Sequence, residues 1–284
     1  MPELASVNGK ISPIGEACIS IDDRGFLLGD GVYEVIVARR GKLLFLDEHL
    51  ARLRRSLDQV RMSDVAMPPV AAEIHRLCNA AALADAKIYL QITRGAAPRN
   101  HAFPQPPVAP NVVITVRELH PLSPQFFADG VACLTRPDNR WGRVDIKTIN
   151  LLPNCLAKQD ACEQDCFEAI FIGPDGEARE ATAANLFVVC DGAVWTHPAN
   201  ERILSGVTRN ALLRLMRDPG LKVVEKAVSQ TQMMAADEVF LSGTTTEVMP
   251  VVRIDGRAVG DGRPGPMSRR ILALFREWVD QQGI

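Results

Sequence analysis

Short segments in which apolar and polar residues alternate recur along the chain, and tight-turn dipeptides separate many of them. These dipeptides are Asn8-Gly9, Arg40-Gly41, Asp175-Gly176, Asp191-Gly192 and Asp255-Gly256. Asn-Gly and Asp-Gly accept the positive φ that two-residue hairpin loops require. The pattern predicts three antiparallel pairs: 34–38 with 42–46, 169–172 with 185–189, and 185–189 with 193–196. It predicts further strands at 87–93, 112–116 and 238–242.

Segments with helical periodicity lie between these strands. They cover 47–61, 69–84, 151–164, 209–217 and 268–279. In the first of them, four apolar side chains form one stripe, at Leu50, Leu53, Leu57 and Val60. Asp47 and Thr208 are predicted N-caps, because short polar side chains accept hydrogen bonds from the free N–H groups of a helix. Hairpins mixed with helices favour an α+β fold over a doubly wound parallel sheet.

Two prolines within five residues mark a predicted linker at 120–124, since proline favours an extended connection. The linker separates a smaller N-terminal domain, 1–119, from a larger C-terminal domain, 125–284.

The charge balance excludes several classes of protein. Lys and Arg total 32 against 34 Asp and Glu, so the net charge is −2, and nothing favours nucleic-acid binding. We expect no signal peptide and no membrane span, because the first ten residues and the apolar runs fit neither. Seven scattered cysteines without a C-x-x-C pair are typical of reduced thiols, so we expect a cytoplasmic protein without a metal site.

A dinucleotide-binding interpretation of the chain fails. The segment 260–265 matches G-x-G-x-x-G, but Pro264 removes one N–H group from any phosphate cradle. Only 19 residues follow Gly265, since 284 − 265 = 19, too few to complete a βαβ unit with its acidic ribose ligand.

Three groups of polar residues are candidates for chemistry. Lys147 lies in an apolar stretch, where its amine either extends out to solvent, pairs with an acid, or is held neutral as a nucleophile. The hydroxyl-rich segments 205–209 and 242–246 fit either ordinary caps and turns or phosphate seats. Arg99 and His101 lie in a loop between prolines, either as solvated side chains or as a carboxylate-binding pair.

Ordered motifs over nearly the whole chain resemble the fold type IV pyridoxal-phosphate enzymes, which are two-domain α+β proteins. The matching stretches are 23–25, 29–34, 49–53, 145–147 with 150–154, 180–185, 203–209 and 243–250. This family contains branched-chain aminotransferases, D-amino acid aminotransferases and aminodeoxychorismate lyases. The resemblance implies an α/β N-terminal domain, a barrel-like C-terminal domain and pyridoxal 5'-phosphate as the cofactor.

The resemblance also implies roles for individual residues. Lys147 matches the lysine that forms the internal aldimine and then moves the α-proton, and Glu180 matches the acid that pairs with the pyridine nitrogen. The phosphate would be held by the Arg52 guanidinium, the Val207 N–H group and two hydroxyl groups. These hydroxyl groups belong to Thr208 and Thr244.

Within the family, the loop that contains Arg99 and His101 is similar to the Arg-x-His loop of D-amino acid aminotransferases. In those enzymes the loop reaches in from the partner subunit and, with Tyr33, binds the substrate carboxylate, which implies a homodimer with composite sites. The chain departs from those enzymes in two places: Thr182-Ala183-Ala184 replaces a run of serines, and Gly243 replaces a serine. The implied function is ping-pong transfer of an amino group from D-amino acids to a 2-oxo acid. An L-branched-chain aminotransferase and an aminodeoxychorismate lyase are the alternatives.

Overall fold

A computed structural model of the protein describes residues 3–217 and 220–281. They form two compact units. Unit 1 comprises 3–120 and Ile146–Asn150, and unit 2 comprises Pro121–Asp145 and the described residues of 151–281. The predicted domains remain a prediction, and they differ from these units in placing Ile146–Asn150 with the C-terminal part.

Unit 1 contains one β-sheet and three helices within the described residues. Its elements are β1 (Leu4–Val7), β2 (Lys10–Pro13), α1 (Arg24–Leu28), β3 (Gly31–Arg39), β4 (Lys42–Leu43), α2 (Leu46–Gln59), α3 (Met67–Ala81), β5 (Ala86–Thr93) and β6 (Asn111–Glu118). The strands pair antiparallel in the order β2-β1-β6-β5-β3-β4. One face of the sheet packs against α2 and α3, where Ile36, Leu53, Ile74 and Ile88 are fully buried.

Unit 2 is built around a second, larger sheet. Its elements are α4 (Pro124–Asp129), β7 (Val131–Pro137), α5 (Leu152–Cys162), β8 (Glu168–Ile172), β9 (Glu177–Ala181), β10 (Asn185–Cys190), β11 (Ala193–Thr196), α6 (Val207–Leu215), β12 (Lys222–Glu225), β13 (Val228–Ser229), α7 (Gln230–Met234), β14 (Glu238–Gly243), β15 (Glu247–Ile254), β16 (Arg257–Ala258) and α8 (Pro266–Gln281). Among the described strands, six pair in the order β10-β14-β15-β7-β8-β9. The pairing of Glu180 with Asn185 joins β9 back to β10 and closes a barrel. The predicted barrel-like C-terminal fold is therefore confirmed.

One predicted strand pair is wrong. Residues 169–172 pair not with 185–189 but with Glu177–Ala181, across the Asp175-Gly176 turn. The segment Glu177–Ala181 contains three charged residues and none of the β-branched residues that indicate a strand. Its alanines face the core, and its charged side chains find ion-pair partners, so it forms the strand that carries Glu180.

Both predicted helix caps are also wrong. Helix α2 begins at Leu46 after Phe45 in the left-handed region, so Asp47 lies within the first turn. Helix α6 begins at Val207 with Gly206 as its N-cap, so Thr208 is the second helical residue. Because α2 begins this early, β4 ends at Leu43 rather than at residue 46.

Gly95 sits where the chain leaves β5 for the loop that contains Arg99. Its φ is +104°, and a Cβ atom there would lie 2.0 Å from the carbonyl oxygen of Ala109. We expect Gly95→Ala to lower the free energy of unfolding by about 3 kcal/mol, because left-handed strain and a backbone clash add. Thermal unfolding of the purified variant measures this loss.

Gly9→Ala is the matched control. Gly9 also has a positive φ, +85°, but apart from its two chain neighbours no described residue has an atom within 4 Å of the position of its Cβ. This variant should lose only about 1 kcal/mol from backbone strain. Equal losses in the two variants would show that the close approach of Gly95 to Ala109 imposes no constraint.

Candidate functional site

Lys147 lies on a short segment that runs beside β3 in unit 1. The Tyr33 N–H group donates to the Lys147 carbonyl over 3.0 Å, and the Ile149 N–H group donates to the Gly31 carbonyl over 3.2 Å. The neighbours of Lys147 in the segment, Ile146 and Thr148, are buried, while Lys147 is half-buried. The segment therefore anchors the lysine backbone to the sheet.

The Lys147 amine contacts the aromatic side chain of Tyr33. Its Nζ atom lies 4.2 Å from the centroid of the Tyr33 ring, a cation–π distance. The Tyr33 ring lies 5.7 Å from that of Tyr89, whose hydroxyl donates to Gln91 over 2.6 Å. The structure thus brings together two predicted site residues, Tyr33 and Lys147.

A buried ion-pair cluster joins β3 to α2. Glu34 is 0% exposed, and its carboxylate accepts hydrogen bonds from the Arg52 Nε and Nη2 atoms over 2.7 and 2.6 Å. The Nδ1 atom of His49 lies 2.7 Å from the same carboxylate. Burial acts to raise the pKa of Glu34, but Arg52 and His49 outweigh it and lower the pKa to about 2.

His49 and Glu34 have no assigned role in the sequence interpretation, although both lie in matched motifs. Burial lowers the pKa of His49, against the opposing effect of Glu34, so the imidazole is neutral near pH 7. Because the Glu34 carboxylate is ionised, the imidazole proton lies on Nδ1. The buried Nε2 atom is left without a hydrogen-bond partner among the described residues, as an acceptor site. The sequence signal for Glu34 is its spacing, because it alternates with Val32 and Ile36 on the core face of β3.

Arg99 and His101 are exposed, and neither side chain has a hydrogen bond or an ion pair within the described part of unit 1. Their loop is held by two arginines that share Asp30: Arg24, which donates to the Asn100 and Ala102 carbonyls, and Arg94. The Arg94 guanidinium also stacks over Phe103 at 3.6 Å. The loop is therefore fixed while its two polar side chains project outward.

Glu180 forms the centre of a second polar cluster, in unit 2. It is 4% exposed, and its Oε1 atom accepts from the Arg140 Nη1 atom over 2.5 Å. Its Oε2 atom accepts from the Asn185 side chain and from the Leu204 N–H group, each over 3.0 Å. A carboxylate offers about four acceptor positions, and donors among the described residues fill three of them, which leaves one for a further donor.

Burial raises the pKa of Glu180 more than Arg140 and the other donors lower it. One reason is that Arg140 is shared. Its Nε and Nη2 atoms each donate to Asp138 over 2.9 Å, so much of its charge is directed to a second acid. A further cation beside Glu180 would stabilise its ionised form. Arg140 and Asp138 were missed by the sequence interpretation, because nothing in the linear pattern pairs residue 140 with residue 180.

The segment after Leu204 leads directly into α6. Its N-cap, Gly206, has no side chain to cap the helix, and no side chain in the described part of the chain caps its first N–H groups, including that of Val207. Such N–H groups and the helix dipole favour an anion. A Cβ atom at Gly206 would lie 1.9 Å from Asn185 Oδ1, so glycine is required by the contact that also holds Glu180.

The turn between β14 and β15 carries further hydroxyl groups. Thr244, in this turn, is half-buried. The strand that leads into the turn, β14, packs against α6. The Ser242 Oγ atom is buried without a hydrogen-bond partner among the described residues. It therefore offers a hydroxyl beside Gly243, where the motif lacks one. Thr182, in contrast, donates its hydroxyl proton to Glu168 over 2.5 Å and is already used.

Each cluster, taken by itself, offers groups of the kind that suit the pyridoxal 5'-phosphate implied by the sequence motifs. Unit 1 provides a half-buried amine together with a buried guanidinium and an unpartnered imidazole nitrogen. Unit 2 provides an acid with one open acceptor position and a helix N-terminus suited to phosphate. In residues 3–217 and 220–281, no three His, Cys, Asp or Glu side chains gather as a metal site. Over the same ranges, no helix is both long and apolar enough to cross a membrane.

Comparison with known proteins identifies relatives over the whole chain. The family described as Amino-transferase class IV matches residues 31–254. The D-alanine aminotransferase of Bacillus licheniformis is 39% identical over 273 residues, which cover 96% of this chain and 95% of that protein. The D-alanine aminotransferase of Staphylococcus haemolyticus is 36% identical over 278 residues, covering 97% of this chain and 98% of that protein.

Solved structures give the same picture of the fold. The branched-chain amino acid aminotransferase of T.th. with pyridoxamine 5'-phosphate superposes with a TM-score of 0.89 and 27% identity. The match covers 98% of this chain and 94% of that chain. The branched-chain amino acid aminotransferase from Escherichia coli gives a TM-score of 0.85 and 26% identity, covering 95% of this chain and 92% of that chain.

The Glu34 cluster predicts how stability depends on pH. Glu34→Gln keeps the side-chain shape but leaves Arg52 buried without its anion, so we expect a loss of about 3 kcal/mol at pH 7. The pKa of Glu34 lies below its ordinary value, so its contribution is complete above that value and is lost as pH falls towards about 2. Urea unfolding at several pH values measures the difference between wild type and variant.

That difference should stay constant from pH 7 to about 5.5 and shrink below about 4.5. Glu3→Gln is the control, because its ion pair with Arg117 is exposed and contributes little. A loss from Glu34→Gln that is equally large at pH 7 and at about pH 3.5 would contradict the assigned charge state.

Proposed function

Because the chain belongs to the class IV aminotransferases, which use pyridoxal 5'-phosphate, we propose that it is a transaminase of D-amino acids. It would move the amino group of D-alanine or a similar D-amino acid to a 2-oxo acid by a ping-pong mechanism. The observation that carries this proposal is the 36–39% identity with D-alanine aminotransferases over at least 96% of the chain. Solved branched-chain aminotransferases share the fold at 26–27% identity, so an L-amino acid transaminase is the alternative.

The cofactor, when bound, supplies an aldehyde that reacts with amines and a ring that accepts electrons from the substrate Cα atom. Lys147 provides the amine that holds the aldehyde and later takes the proton from the substrate Cα atom. Its anchoring to β3 supports this role, since the backbone on both sides of the lysine is fixed while the side chain is not fully buried.

Glu180 would hold the ring nitrogen in its protonated form. Support comes from the open acceptor position of its carboxylate and from its raised pKa, which a neighbouring cation would offset. The phosphate would be held by Arg52, the Val207 N–H group, Thr208 and Thr244. Arg52 is already oriented by Glu34, and the start of α6 is free of a side-chain cap.

Tyr33, Arg99 and His101 would bind the substrate carboxylate. Arg99 and His101 have exposed side chains, and contacts of Arg24 and Arg94 hold their loop in place. This arrangement suits a contribution to the active site of a second copy of this chain. Exposed apolar side chains in the same unit, Ile21 at 75% and Phe26 at 67%, favour a homodimer. The seven free cysteines favour a cytoplasmic location.

Replacing Lys147 tests the assigned cofactor lysine. After incubation with pyridoxal 5'-phosphate, Lys147→Ala should lack the absorption band of the covalently held cofactor and lose about 10³-fold or more in turnover. Lys87→Ala, at an exposed lysine on β5, should retain both. In the wild type, D-alanine should deplete the band while L-leucine leaves it unchanged.

Other outcomes of the D-alanine and L-leucine test would favour a different reaction. Depletion by L-leucine alone would favour the branched-chain alternative, and no effect of either amino acid would favour aminodeoxychorismate lyase. A wild-type protein without any cofactor band would contradict the proposed function.

Replacing Arg99 tests the proposed composite site. Arg99→Ala should lower kcat/KM for D-alanine by about 10²-fold, because a charge-assisted contact to the carboxylate is lost. Arg55→Ala, at an exposed arginine on α2, is the control and should have no effect.

Co-expression tests which copy supplies the loop. Mixing Arg99→Ala chains with Lys147→Ala chains should restore about a quarter of the wild-type activity, since half of the dimers contain one intact site. If Arg99 acts within its own chain, the mixture shows only the residual activity of the Arg99→Ala chains.

A further inference from the structure

An unbroken series of opposite charges leads away from Glu180 within unit 2. Glu180 contacts Arg140, Arg140 contacts Asp138, and Asp138 contacts Arg179 over 2.9 Å. Arg179 continues to Asp175 over 3.5 Å. The side chains of Asp138, Arg140 and Glu180 are at most 6% exposed, so these charges lie where solvent screens them little.

Asp138 fixes the orientation of Arg140. Its carboxylate accepts from the Arg140 Nε and Nη2 atoms and from the Arg140 backbone N–H group. Two parallel bonds set the plane of a guanidinium, and the Phe171 ring, 4.4 Å away, packs against that plane. The remaining Nη1 atom is thereby directed at Glu180.

Arg179 holds Asp138 in turn. Its Nη1 atom fills the fourth acceptor position of the Asp138 carboxylate. Gly173 leaves the space that the guanidinium needs, because a Cβ atom there would lie 2.5 Å from the Arg179 Nε and Nη2 atoms. Arg179 and Glu180 are neighbours on β9 and point to opposite faces of the strand, so Arg179 acts on Glu180 through Asp138 and Arg140.

We propose that Arg179 is a positioning residue for Glu180: through Asp138 it fixes the Arg140 guanidinium and keeps the Glu180 carboxylate ionised for the protonated ring nitrogen of the cofactor. This inference rests on the proposed function, which supplies that partner of Glu180. Arg179 itself touches neither cofactor nor substrate in this role.

The charges around Glu180 determine whether a substitution raises or lowers the pKa of its carboxyl group. Within unit 2 they come from Asp138 and Arg140 on the segment after β7 and from Arg179 on β9, while Asn185 and Leu204 add neutral N–H donors. Removing the Arg179 cation raises the pKa of Glu180, and removing the Asp138 anion lowers it. A purely structural defect would not produce opposite shifts.

The experiment measures binding of pyridoxal 5'-phosphate to the full-length apoprotein between about pH 5 and 8.5. Arg179→Met should move the midpoint of the pH dependence up by about one unit, so that binding weakens by up to about tenfold at the acid end of the range and recovers at the alkaline end. Arg179→Lys keeps the charge and should restore most of the wild-type profile. Asp138→Asn should move the midpoint down.

Arg136→Met is the matched control, because Arg136 is an arginine of unit 2 that pairs with Asp160, outside the series. Its midpoint should equal that of the wild type. Shifts of the same sign in Arg179→Met and Asp138→Asn, or an unchanged midpoint in both, would overturn the inference. A wild-type chain that binds no cofactor would overturn the proposed function itself.

Discussion

A buried carboxylate must be paired, and this constraint shapes both polar clusters. Glu34 in unit 1 and Glu180 in unit 2 are each buried, and each is held by one arginine. The arginines differ in how much charge they deliver. Arg52 gives two hydrogen bonds to Glu34, and the pKa of Glu34 falls to about 2, whereas Arg140 divides its bonds between Glu180 and Asp138, and the pKa of Glu180 rises.

This difference separates two kinds of ion pair: one that only holds its partners in place, and one that can still bind a further cation. The Glu34 carboxylate is already compensated, so its effect is to hold Arg52 and His49 in fixed positions. The Glu180 carboxylate is under-compensated and keeps one acceptor position, so a bound cation gains more there than at an exposed acid. A protonated ring nitrogen is such a cation.

Motifs with short spacing could be predicted from the sequence, and contacts across long spacing could not. Lys147 with its apolar neighbours and the hydroxyl-rich start of α6 were visible because the relevant residues are adjacent. Arg140 could not be predicted as a site residue, because its partner Glu180 is 40 residues away in the sequence, on a strand rich in charged residues. The partner of 169–172 was predicted wrongly for the same reason. The charged residues of β9 do not follow a strand pattern, although its alanines are buried and it pairs with 169–172.

Much of the proposed binding chemistry is in place before any ligand enters. Arg52 is oriented by Glu34, Arg140 by Asp138, and the start of α6 by the close approach of Gly206 to Asn185. Groups that are fixed in advance lose little conformational entropy on binding and need little reorganisation during the reaction. The exposed Arg99 and His101 are the exception: their loop is anchored, but within the described part of unit 1 their side chains make no hydrogen bond or ion pair, which suits the contact with substrate that we propose for them.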